Sequence, residues 1–77
     1  MREEVLALII EEGSKLWDRT DLTEDTTFAE VNAKSVHKTT ITVALENEFE
    51  CEVPFLGFNK CATLGEAADY VVELIEE

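Results

Sequence analysis

From Glu3 to Trp17 the apolar residues return every three or four positions: Val5, Leu8, Ile9 and Leu16 share a stripe with Glu12, and Leu6, Ile10, Gly13 and Trp17 lie beside it. That period belongs to a helix with a wide buried face, so the pattern predicts a helix over residues 3–17. The C-terminal segment is clearer still. Thr63 and Glu66 stand in a Thr-x-x-Glu capping box, and Leu64, Ala67, Ala68, Val71, Leu74 and Ile75 follow at helical intervals, predicting a helix from 64 to about 76. Asp18 to Lys34 is polar, with isolated Leu22, Phe28 and Val31, the pattern of a long loop pinned to the core at a few points.

The middle of the chain offers two periods at once. Thr39 to Val43 is an unbroken β-branched run, and Ile41, Val43 and Leu45 alternate as a half-buried strand does. Ile41, Ala44, Leu45 and Phe49 also form a helical stripe, and no partner strand exists elsewhere to complete a ladder. The propensity loss in a helix is about 0.5 kcal/mol for each such residue. Burying Val36, Ile41, Leu45 and Phe49 at about 1.5–3 kcal/mol apiece offsets it, which predicts a helix from 35 to about 50. Pro54 ends that region, and Phe55 to Cys61 has room for one helical turn at most. The expectation is an all-α bundle of three main helices plus a short third one, in a single domain spanning residues 1–77.

A chain of 77 residues has material for one core and too little to enclose a substrate. Its formal charge of −12 repels nucleic acid and anionic lipid and makes basic proteins the natural counterpart. The longest apolar run, Val5 to Ile10, is too short to span a bilayer, and it lacks the basic lead-in and small-residue cleavage site of a signal peptide, so the expected location is cytoplasmic. Cys51 and Cys61 are expected to be small buried residues with free thiols, a disulfide between them being the alternative. With His37 as the sole histidine they fall short of a zinc site, and Asp18, Asp21, Glu24 and Asp25 lack the alternation and central glycine of an EF-hand, so no metal is expected. Catalysis is not expected either: Ser35 and His37, two positions apart, point in different directions on a helix, and no nucleophile elbow or Gly-rich phosphate loop is present.

Three blocks carry a resemblance across almost the whole chain: Phe28-Ala29-Glu30-Val31-Asn32-Ala33-Lys34-Ser35-Val36, then Ala44-Leu45-Glu46-Asn47-Glu48-Phe49-Glu50-Cys51-Glu52-Val53-Pro54, then Thr63-Leu64-Gly65-Glu66-Ala67-Ala68-Asp69-Tyr70-Val71. In this order and spacing they resemble an acyl carrier protein. The resemblance implies a four-helix bundle in which a serine opening the second helix, Ser35 by position, receives a 4'-phosphopantetheine arm from coenzyme A. The arm's thiol then holds acyl or related groups as thioesters. Implied partners are a phosphopantetheinyl transferase and acyl-loading and acyl-transfer enzymes of fatty acid, lipid or other acyl biosynthesis, with the carrier itself a monomer. The plain alternative for Ser35 is a helix-capping serine.

The departures from the family pattern are local. Lys34-Ser35-Val36 stands where the family has Asp-Ser-Leu, Asn32 where it favours glycine, and Lys34, His37 and Lys38 crowd a helix start that is normally acidic. Cations there oppose the helix dipole. We expect Lys34, Val36, His37 and Lys38, with Glu46 and Glu48 further along, to set partner recognition; the plain alternative is that the cations are drifted surface residues. The apolar stretch Phe55-Leu56-Gly57-Phe58 either deepens the core or shapes an acyl pocket. The rival reading is a protein-binding module without a prosthetic group, using Lys34, His37, Lys38 and residues 55–58.

Overall fold

The N-terminal period becomes α1, Arg2–Trp17, in a computed structural model that describes all 77 residues. Glu3 and Glu4 in its first turn and Lys15 in its last match the helix dipole, and Asp18 ends it in the left-handed conformation at φ 52°. The remaining elements are α2, Ser35–Phe49, α3, Phe55–Asn59, and α4, Leu64–Glu76. There is no strand; the one β-type pairing is an isolated antiparallel bridge between Thr27 and Thr63. The all-α expectation holds, with the single turn after Pro54 realised as α3.

In α2 the β-branched run is helical, and its threonines show how the segment tolerates it. Thr40 Oγ1 donates to the Val36 carbonyl at 2.9 Å and Thr42 Oγ1 to the Thr39 carbonyl at 2.8 Å, so both hydroxyls bond within their own helix. Ile41 and Leu45 are fully buried and Phe49 half-buried. Val36 is a correction: it is 65% exposed and contributes nothing to the core. Five residues before Ile41, it lies about 140° around the helix from the buried stripe, and Val43, 48% exposed, shares its outward side.

The core gathers Val5 and Ile9 from α1, Ile41 and Leu45 from α2, Phe58 from α3 and Leu64, Ala67, Ala68 and Val71 from α4. Leu22 and Phe28 of the long loop are buried with them, and Val31 is half-buried, so all three anticipated pins reach the core. Trp17, Phe28 and Phe58 meet edge to face, with ring centroids 6.2 and 5.7 Å apart. Arg2 joins α1 to Asp69 of α4 and to Glu24 of the loop. Gly57 lets α3 approach α4 closely, since a Cβ there would displace the Tyr70 ring.

Backbone bonds stitch the loop to the start of α4. Phe28 N–H donates to Ala62 O at 3.0 Å, Leu64 N–H to Thr26 O at 2.9 Å and Gly65 N–H to Glu24 O at 2.9 Å. Thr63 caps the helix as anticipated, its Oγ1 accepting from Glu66 N–H at 3.0 Å. The capping box does not close on itself, however: the Glu66 carboxylate reaches one residue further and accepts from Ala62 N–H at 2.8 Å.

Candidate functional site

Ser35 is the first residue of α2 and is exposed. It is not the cap. Lys34 holds the N-cap position in extended conformation at φ −101°, ψ 167°, and its side chain has no acceptor with which to cap anything. The Ser35 hydroxyl joins none of the side-chain hydrogen bonds of the fold, and neither Ser35 nor Val36 N–H has a backbone or side-chain acceptor. The helix start therefore presents a free hydroxyl, two free donors and the positive end of the dipole to solvent.

His37 positions this turn. Its Nδ1 lies 3.1 Å from both Lys34 N–H and the Trp17 indole Nε1–H, which share its one lone pair, so the ring ties the α2 start to the end of α1. Upstream, Ala33 N–H closes on Phe28 O at 2.9 Å. Asn32 sits at φ 54°, the left-handed conformation expected of an asparagine standing where glycine is common.

The anticipated recognition residues divide into two sets. His37 is committed to Trp17. Lys38 Nζ bonds Asn59 Oδ1 at 2.9 Å and lies 5.0 Å from the Phe28 ring centroid. Glu46 accepts from Val53 N–H at 2.9 Å, which fixes the α2–α3 connection. Lys34, Val36 and Glu48 are exposed and form no bond through their side chains. Lys38–Asn59 and Trp17–His37 are contacts that sequence reasoning missed; residues 21 and 20 positions apart leave no periodic trace.

An open groove of about 530 Å³ lies beside the α2 start, walled by Phe28, Ala29, Ala33, Cys61 and Ala62 with Lys38 at its rim. The 55–58 stretch does not line it: Phe58 is fully buried in the core and Leu56 is 76% exposed. Both cysteines are free and half-buried, less enclosed than expected. Burial, with Glu66 adding to it and Lys38 opposing, pushes the Cys61 thiol above its ordinary range; burial and then Glu46 do the same for Cys51. Thioester exchange needs a thiolate, so both stay poor acceptors for a neighbouring acyl thioester. Of the loop acids, Asp21 is gripped by Arg19 at 2.9 and 2.7 Å and Glu24 by Arg2; no group of three metal-ligating side chains forms.

A family model described as phosphopantetheine attachment site matches residues 4–71. The chain belongs to that family. It is thus a carrier of the acyl carrier type, whose members are non-catalytic and bear a covalent 4'-phosphopantetheine on a serine. Carriers of this kind work with transferases and acyl-handling enzymes. No solved structure matches the chain. The α2 start fits the group: a phosphodiester esterified there would meet two free N–H donors, the helix dipole and the Lys34 ammonium. When bound, the arm supplies the thiol; this chain's residues supply position and recognition. No helix is long and apolar enough to cross a membrane.

Proposed function

We propose that Ser35 bears the arm and that this single-domain carrier, a cytoplasmic monomer, delivers thioester-linked acyl or related groups to enzymes of fatty acid, lipid or other specialised acyl biosynthesis. Phosphopantetheinyl transferase installs the arm; acyl-loading and acyl-transfer enzymes fill and empty it. The observation that carries the reading is the exposed, unbonded Ser35 hydroxyl at the start of α2. The chain has one other serine, Ser14, which is half-buried inside α1 and has no free helix start beside it.

Lys34, Val36 and Glu48 act in partner recognition directly. His37 and Glu46 act by holding α2 in place relative to α1 and the connection to α3, while Lys38 both ties α2 to α3 and offers its ammonium charge to a partner.

Incubation with a phosphopantetheinyl transferase and coenzyme A, read by intact mass, tests the assignment. The wild-type chain and Ser14→Ala are expected to gain one arm and Ser35→Ala none. An arm on Ser35→Ala would move the site elsewhere; no arm on any variant under any transferase would favour the module without a prosthetic group.

A further inference from the structure

The six cations of this chain are sorted by position. Arg2, Lys15 and Arg19 are each ion-paired with acids. Lys34, Lys38 and Lys60 form no ion pair and belong to the α2 start and the α3 end packed against it: Lys34 precedes Ser35, Lys38 follows it by one turn, and Lys60 is the C-cap of α3, next to the Asn59 that Lys38 holds. The first turn of α2 and all of α3 carry no acid. Two nearby acids are folded back onto backbone, Glu30 onto Thr27 N–H at 2.7 Å and Glu66 onto Ala62 N–H. Two apolar side chains are conspicuously exposed on these packed helices, Val36 at 65% between Lys34 and Lys38 in α2 and Leu56 at 76% one turn before Lys60 in α3.

We infer that the face around Ser35 docks a protein surface of the opposite kind to the one the total charge of −12 calls for: apolar at its centre and rimmed by carboxylates that meet Lys34, Lys38 and Lys60. This deepens the carrier reading by giving its partners a charge. A polyanion such as nucleic acid, or an anionic membrane, meets the same three cations but is repelled by the remaining acidic surface, which a protein footprint of ordinary size does not cover. Basic partners are left with the acidic faces away from Ser35. A partner that binds here approaches against the long-range field and gains only at short range, so its docking is selective and salt-dependent.

The test is a titration of the isotopically labelled full chain, followed by amide NMR, with two synthetic amphipathic peptides of identical apolar spacing, one built with glutamates and the other with lysines. The glutamate peptide is expected to shift amides at 34–40 and 55–60 and to weaken severalfold as ionic strength nears 1 M, where the Debye length is about 3 Å. The double variant Lys34→Glu with Lys60→Glu, both positions exposed and unpaired, is expected to keep its helix content and to bind that peptide about tenfold more weakly. The inference is overturned if the lysine peptide shifts the same amides as strongly, or if the double variant binds as well as wild type. Arm attachment, read by mass, is a separate outcome: a chain that takes the arm yet ignores the glutamate peptide refutes the docking inference alone, and the reverse refutes the carrier reading alone.

Discussion

The starts of α2 and α4 have nearly the same backbone, an extended N-cap at φ −101°, ψ 167° for Lys34 and φ −119°, ψ 164° for Thr63, yet they are finished differently. At α4 all four leading donors are used: Leu64 and Gly65 N–H bond the loop carbonyls of Thr26 and Glu24, Glu66 N–H bonds the Thr63 hydroxyl and Ala67 N–H the Thr63 carbonyl. At α2 the side-chain cap is absent, and Ser35 and Val36 N–H are open to solvent. A helix start can serve the fold or be held ready for something outside it, and here the loop carbonyls docked on Leu64 and Gly65, together with the Thr63 cap, make the difference.

The contrast can be broken most decisively at the two first helical turns. Ser35→Ala is expected to abolish arm attachment completely while changing stability by no more than about 0.5 kcal/mol, because its side chain bonds nothing; a large loss in chemical denaturation would mean that Ser35 is structural after all. Gly65→Ala, whose new Cβ would sit 2.9 Å from Glu24 O, is expected to cost about 1–3 kcal/mol in the same assay. Smaller effects of opposite sign belong to the caps. Thr63→Ala is expected to lose about 1 kcal/mol, whereas Lys34→Asp, which supplies an acceptor and suits the dipole, is expected to gain about the same in thermal and denaturant melts. Equal and like-signed effects at both caps would erase the distinction. The gentlest probe is alkylation at neutral pH: with their thiols raised by burial, Cys51 and Cys61 are expected to react more slowly than the thiol of an attached arm, measured as site-resolved labelling rates.

Much of this was legible in the residues. The periods of α1 and α4, the Thr63 cap, the three loop pins and the left-handed Asn32 each leave a local signature, and local signatures survive into structure when packing agrees with them. The helix over the β-branched run was legible only by elimination, since propensity favoured a strand and the missing partner ladder excluded it. Val36 was misjudged because an apolar residue in a first turn reads as core unless its angle from Ile41 is counted. At the site, the serine and the crowd of cations beside it were visible, but not which cations were spoken for. The Lys38 bond to Asn59 and the Trp17 bond to His37 join residues 21 and 20 positions apart, and nothing in a single sequence marks such pairs.

The hydrogen bond from Trp17 to His37 has an optical consequence. Trp17 is the chain's sole tryptophan, and its indole donates to the ring that also braces the residue before Ser35. The protein therefore carries an intrinsic fluorophore hydrogen-bonded to the turn that holds the proposed loading serine, and emission at that one residue is expected to respond to arm transfer or docking with no label added.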